Sequence, residues 1–79
     1  MTIDNISLLK ELIAEKDARL AAINRRLEVL RRLVTDAETL EEVTLYGNEV
    51  RDLGQEITTL ITGRARLVKE INDFYKPAA

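Results

Sequence analysis

The fold is decided by residues 6–34, ISLLKELIAEKDARLAAINRRLEVLRRLV. Aliphatic residues recur there at alternating steps of three and four, from Ile6 and Leu9 to Leu30 and Val34, and Lys16 is the one polar member of the series. A strict repeat of this kind predicts a long α-helix with one continuous apolar seam. The aliphatic members are Ile6, Leu9, Ile13, Leu20, Ile23, Leu27, Leu30 and Val34.

The flanking residues place the ends of this first helix. Side chains able to cap a helix occur at residues 4–7, and neither Gly nor Pro interrupts the following residues. Thr35 and Thr39 each have a glutamate three residues later, which is a capping-box spacing. The apolar series also loses phase there and restarts at Leu40 and Val43. We predict helix 1 over about 4–34 and a turn over about 35–39, with a single unbroken helix as the alternative.

A second helix is predicted over about residues 37–75, with a short tail over 76–79 in which Pro77 marks the stop. It carries two apolar stripes, wider together than a two-stranded seam needs. We expect the first stripe to cover helix 1 and the second to need another surface. The first stripe is Leu40, Val43, Gly47, Val50, Gly54, Ile57, Ile61, Arg64, Val68, Ile71 and Tyr75; the second is Tyr46, Leu53, Leu60, Leu67 and Phe74.

Gly47 and Gly54 lie within the first stripe, seven residues apart. Each costs about 1 kcal/mol of helix propensity relative to Ala, so a compensating contact is expected. In a hairpin that turns near residue 37, Gly47 faces Leu27 and Gly54 faces Leu20. We therefore expect the glycines to receive these leucines and to allow a close helix approach. The alternative is that Gly47 and the following Asn end one helix and begin another, giving three helices.

Composition bounds the class of protein. The chain has 79 residues, enough for one domain over 1–79, with 12 basic and 14 acidic side chains and a net charge of −2. It has no Cys and no His, and no Asp-rich or Gly-rich binding loop, so we expect no metal site, no cofactor, no small-molecule ligand and no enzymatic activity. No apolar run is long enough to cross a membrane and no signal peptide is visible, so the expected location is cytoplasmic.

The two halves of the chain carry opposite charge. Residues 1–34 contain seven basic and five acidic side chains, whereas residues 35–79 contain five and nine. This difference favours packing of one half against the other. The length and the heptad seams resemble those of Rop, the plasmid RNA-binding hairpin that dimerises into a four-helix bundle. The resemblance is one of architectural class, and it implies an all-α antiparallel hairpin that self-associates as a dimer.

A two-helix hairpin of this size is marginal alone, so self-association is expected. Its first expected function is that of a non-enzymatic protein–protein interaction module, such as a small adaptor, a regulator or inhibitor, or an assembly chaperone. Helix 2 is predicted to be the longer helix, so its end overhangs and offers a site for a larger partner protein. The expected self-association seam is Ile6, Leu9, Ile13, Leu20, Ile23, Leu27, Leu30, Val50, Ile57, Ile61 and Val68; the expected partner-binding residues are Tyr46, Ile71, Phe74 and Tyr75, which the alternative places in the core or the dimer contact.

Two other functions stay open. Nucleic acid can be contacted by four arginines near the end of helix 1, although the acidic residues near the turn favour ion pairing instead. The four are Arg25, Arg26, Arg31 and Arg32. A purely structural coiled-coil spacer would bind only itself.

Lys16 and Arg64 interrupt the seams; we expect their stems to pack while their charged ends reach solvent or a carboxylate. They can alternatively set the register, or line a site for an anionic ligand.

Overall fold

A computed structural model of the chain describes residues 3–76, which form two α-helices. Helix α1 spans Ile3–Asp36 and helix α2 spans Leu40–Tyr75. The two helices pack against each other and run in opposite directions, because residues 19 and 56 are joined across the contact, as are residues 26 and 49. The predicted all-α hairpin is therefore confirmed, and the single unbroken helix is excluded.

The turn between the helices is shorter than predicted. The Thr39 hydroxyl accepts a hydrogen bond from the Glu42 amide at 3.2 Å, and Thr39 has an extended backbone, so it is the N-cap of α2. Thr35 does not cap a helix. It lies inside α1, where its hydroxyl donates to the Arg31 carbonyl at 2.9 Å. Helix α1 consequently ends at Asp36, two residues later than expected.

Helix α2 is continuous through Gly47 and Asn48. No described glycine has a positive φ angle, so Gly47 does not adopt the left-handed conformation that ends many helices. The three-helix alternative is therefore wrong. The good helix formers on either side carry the helix through this position despite the low propensity of glycine.

The core lies along one line of α1. Among the described residues, the buried apolar side chains are all in α1, and α2 contributes none. The α2 residues that approach this line are half-buried and spaced seven apart. They are Tyr46, Leu53, Leu60 and Leu67, and the α1 residues that they help to cover are Ile6, Leu9, Ile23 and Leu30.

The orientation of α2 corrects the predicted pairing of stripes. The second stripe contacts α1, whereas the first stripe, with Val43, Val50 and Ile61, is largely exposed. Burying a leucine contributes about 1.5–3 kcal/mol, whereas glycine has no side chain to bury. Helix α2 therefore turns Leu53 and Leu60 toward α1 and leaves Gly47 and Gly54 outside the contact.

The overhang of α2 is shorter than predicted, because Ile71 lies level with the first turn of α1. The helices have 34 and 36 residues, which corresponds to about 51 and 54 Å at ~1.5 Å per residue. Ile6 is only 3% exposed, because the end of α2 extends over the first turns of α1. The Cα atoms span 61 by 19 by 12 Å, so the hairpin is one layer of two helices with two broad faces. The predicted stop at Pro77 lies outside the described residues.

Candidate interaction surface

One broad face of the hairpin is closed by two ion pairs, and we name it the ion-pair face. Arg26 donates from Nε and Nη2 to the two carboxylate oxygens of Glu49, at 2.6 and 2.9 Å. Arg19 makes the same two-pronged contact with Glu56, with an Nη2–Oε1 distance of 2.8 Å. The arginines are seven residues apart on α1 and the glutamates seven apart on α2, so one interaction repeats after two helical turns.

These hydrogen bonds shift the acidities of the paired groups. The guanidinium of Arg26 lowers the pKa of the Glu49 carboxyl, and partial desolvation opposes that shift. Hydrogen bonding from Arg19 lowers the pKa of Glu56 in the same way. The pKa values of both arginines are raised in return, chiefly by the same hydrogen bonds. The four side chains remain partly exposed, so salt is expected to weaken these pairs.

The opposite broad face is apolar, and we name it the apolar face. Helix α1 contributes half-buried aliphatic side chains, and α2 contributes more exposed ones, among them Val50 at 39% and Ile61 at 53%. Near the turn, this face contains a shallow groove of about 480 Å³. The groove is lined by Leu27, Val34, Gly47 and Val50, with Arg31 and Thr35 beside them; the whole apolar face is Ile13, Leu20, Leu27, Val34, Val43, Gly47, Val50, Gly54, Ile57 and Ile61.

Gly47 and Gly54 are exposed on this face and do not receive side chains from α1. A Cβ atom placed on either would meet no atom within 4 Å beyond the local helix backbone. The expectation that Leu27 and Leu20 of the same chain pack into them is therefore wrong. The reason is the orientation of α2, which turns the two glycines away from the helix contact.

Gly63 is the glycine that lies against α1. A Cβ atom there would stand 3.1 Å from Nζ and 3.2 Å from Cε of Lys16. The side chain of Lys16 thus leaves the core line of α1 by crossing over Gly63, where no other side chain stands in its way. It reaches a cleft that also contains Thr62 and Arg66. Among residues 3–76, no carboxylate lies within ion-pair distance of Lys16, so of the two expected environments for its charged end the carboxylate is not the one found.

Arg64, the polar residue of the α2 stripe, pairs with Asp17 of α1. Its Nε donates to Oδ1 of Asp17 at 2.7 Å, and this hydrogen bond raises the pKa of the arginine. The carboxylate partner of Arg64 is thus on the other helix, whereas Glu56 of its own helix lies on the ion-pair face and is held by Arg19. Arg64 therefore ties the two helices together across the contact.

The predicted seam residues divide into two groups. Four are buried inside the single hairpin, and the others are half-buried or exposed near the apolar face. Both groups follow the heptad spacing, but only the second group is available to another chain. The buried group is Ile6, Leu9, Ile23 and Leu30; the half-buried residues are Ile13, Leu20, Leu27, Ile57 and Val68, and the exposed residues are Val50 and Ile61.

The four arginines near the end of α1 do not form one cluster. Arg26 pairs with Glu49, and Arg31 donates to Glu28 at 3.3 Å. Arg25 and Arg32 are exposed, and no carboxylate of the described chain lies within ion-pair distance of either. Two of the four charges are therefore matched within the hairpin.

The predicted partner-binding residues are also divided. The Phe74 and Tyr75 rings make an edge-to-face contact at 5.1 Å, and their side chains are exposed at the end of α2. Ile71 and Tyr46 are half-buried, and Tyr46 lies on the line of α2 that packs against α1. Only the aromatic pair at the end of α2 is freely presented.

The ion pairs were missed in the sequence, although a signal for them was present. Arg19 and Arg26 lie at the same distances from the turn as Glu56 and Glu49, so any symmetrical hairpin would align them.

Comparison of the chain with protein-family models, curated proteins and solved structures finds no match. Between residues 3 and 76 there is no helix capable of spanning a membrane and no metal-binding group of acidic side chains.

Proposed function

We propose that this chain is a non-enzymatic protein–protein interaction module that acts as a homodimer, with two hairpins stacked into a four-helix bundle. The observation that carries the proposal is the uncovered apolar face. Protein domains usually bury an apolar helix face against a second layer, and this hairpin consists of one layer. The second layer is supplied by another copy of the same chain.

The exposed area supports this proposal. The chain exposes 6111 Å², whereas a compact folded protein of the same 9.0 kDa mass exposes about 4,850 Å². The excess is about 1,250 Å² per chain, or about 2,500 Å² for a pair, which falls in the range of obligate homodimer interfaces. No described α2 residue is buried within one chain, so a large apolar area of α2 remains to be covered.

Light scattering over a dilution series tests the homodimer. We expect a mass near twice 9.0 kDa for the natural chain. Replacing Val50 with Glu places a charge in the middle of the apolar face, and we expect the mass to fall to that of one chain because burying an unpaired charge is costly. Gln55→Glu is the control, since Gln55 is exposed and outside this face. A natural chain that stays monomeric at every concentration would refute the homodimer.

We propose that a larger partner protein binds the aromatic pair Phe74 and Tyr75. Both are exposed at one end of the hairpin, and aromatic side chains are favoured anchors at interfaces. A tagged chain is used to capture proteins from lysate of its source cells, with the double variant Phe74→Ala/Tyr75→Ala beside it. We expect the variant to lose the captured protein and to keep its oligomeric mass. Leu45→Ala, at an exposed position near the other end of α2, is the control.

Nucleic-acid binding is the second candidate, because Arg25 and Arg32 are exposed without an ion-pair partner in the described part of the chain. It predicts that binding to a labelled oligonucleotide falls steeply with added salt and disappears in Arg25→Ala/Arg32→Ala. The capture experiment is therefore run with and without nuclease. A protein captured in both samples supports the interaction module, whereas capture that requires nucleic acid supports this second candidate. Recovery of the chain alone favours the structural spacer.

A further inference from the structure

We infer that the second copy stacks on the apolar face with its turn at the same end as the turn of the first copy. Helix α1 of each copy then lies over α2 of the other. Leu27 and Leu20 of one copy sit above Gly47 and Gly54 of the other. This arrangement rests on the proposed homodimer and specifies its geometry.

Two symmetrical stackings of a two-helix layer bring the apolar faces together. In the first, the two-fold axis runs along the helices, so the turns share one end and α1 lies over α2 of the second copy. In the second, the axis crosses the helices, so the turns lie at opposite ends. Helix α1 then lies over α1 of the second copy, and α2 lies over α2. Closed two-fold assemblies of this kind are the commonest soluble oligomers.

Heights along the hairpin select the side chains that meet in the first stacking. The ion pairs place residue 26 level with residue 49, and residue 19 level with residue 56. Leu27 is therefore within one residue, or about 1.5 Å, of the height of Gly47, and Leu20 is equally close to that of Gly54. A two-fold axis along the helices preserves these heights. Each leucine of one copy thus comes above a glycine of the other.

This pairing matches large side chains with small ones. Gly47 and Gly54 are exposed, with nothing within 4 Å of a Cβ position, so each leaves room for a side chain from outside. Leucine side chains seated in such gaps give the interlocking packing of helical bundles. The leucines at 20 and 27 are half-buried on the same face and have apolar surface left to cover.

The second stacking matches side-chain sizes less well. It places the leucines of both copies on the α1 side and the glycines of both copies on the α2 side, so the two sides differ in thickness. It also brings Lys10 of one copy within about one helical turn of Arg31 of the other, and like charges at such positions repel. In the first stacking, Arg31 lies at the height of Thr44, but Lys10 of one copy lies within one residue of the height of Arg64 of the other. Charge therefore does not separate the two stackings, and the distinction rests on the fit of leucines to glycines.

Distances between spin labels distinguish the two stackings, and the chain has no cysteine of its own to interfere. Glu38→Cys, in the turn, and Ser7→Cys, at the other end of α1, are each labelled and measured by pulsed electron resonance. In the inferred stacking, labels at 38 in both copies lie about 10–25 Å apart, since packed helices are separated by about 8–10 Å. In the opposite stacking they lie about 50 Å apart, since ~1.5 Å per residue separates the ends.

A mixed sample provides the matched control. One population is labelled at Ser7→Cys and the other at Glu38→Cys, and we expect a long distance between them, near 45 Å at ~1.5 Å per residue. A short mixed distance with a long 38-to-38 distance would overturn the inferred stacking and leave the homodimer standing. Absence of any distance between chains, together with the mass of a single chain, would overturn both.

Discussion

Gly54→Leu separates the stability of the hairpin from its self-association. In a single hairpin the new side chain meets no atom within 4 Å at its Cβ, and leucine gains about 0.8 kcal/mol of helix propensity over glycine. In the stacked dimer it occupies the place of Leu20 from the other copy, and overpacking costs about 1–3 kcal/mol at each site. Two such sites give about 2–6 kcal/mol, so the dimer dissociation constant rises at least about 30-fold. Sedimentation equilibrium measures this constant, and circular dichroism at 222 nm measures the helix content.

Gly63→Leu is the matched comparison, because Gly63 lies against Lys16 inside the hairpin. The end of the lysine side chain must move aside for a leucine, which offsets part of the gain in helix propensity, so we expect the melting temperature of single chains to be lower than that of Gly54→Leu. Gly54→Leu is expected to retain or raise the melting temperature under those conditions. If Gly54→Leu dimerises as tightly as the natural chain, the seating of leucines on the glycines is refuted.

Leu30 is 0% exposed, so Leu30→Ala is expected to lower the free energy of unfolding by about 3 kcal/mol in urea, whereas Val29→Ala, at an exposed neighbour, should change it by less than about 0.5 kcal/mol. The folded-state pKa values of Glu49 and Glu56 are lowered, so ionisation of these glutamates contributes to the free energy of unfolding. This contribution is present at pH values above the ordinary glutamate pKa of 4.5 and is lost as the pH falls through the lowered pKa values. Urea unfolding across pH 2–6 should show this loss, and Glu49→Gln/Glu56→Gln should flatten the profile; an unchanged profile would contradict the role of the pairs. Lys16→Met is expected to raise the free energy of unfolding by about 1 kcal/mol, because the stem already packs between the helices and the ammonium has no carboxylate partner in the described chain; a drop in the urea midpoint would show that the charge itself is needed.

The existence of both helices follows from short-range patterns in the sequence. The 3–4 repeat from Ile6 to Val34 requires one long helix, because only a helix brings those positions onto one side. The loss of phase before Leu40 and the capping signal at Thr39 require a break. These features depend on residues close together in the chain, so they are readable without any knowledge of the other helix.

The face that α2 turns toward α1 is not readable in this way. Both stripes of α2 satisfy the heptad rule, and they lie on neighbouring sides of the same helix. The choice depends on which stripe fills the space above Ile23 and Leu30, and on whether Arg19 and Arg26 reach their glutamates. These terms involve residues 23 to 37 positions apart, and their sum exists only when both helices are in place.

The sequence by itself determined an all-α hairpin, its approximate helix ends and the apolar character of its seams, because local periodicity and capping govern those properties. The tertiary structure decided the orientation of α2, the exposure of Gly47 and Gly54, and the division into an apolar face and an ion-pair face. The physical reason is that burial of leucine rather than glycine, together with ion pairing across the helices, selects one orientation among several that the heptad pattern permits equally.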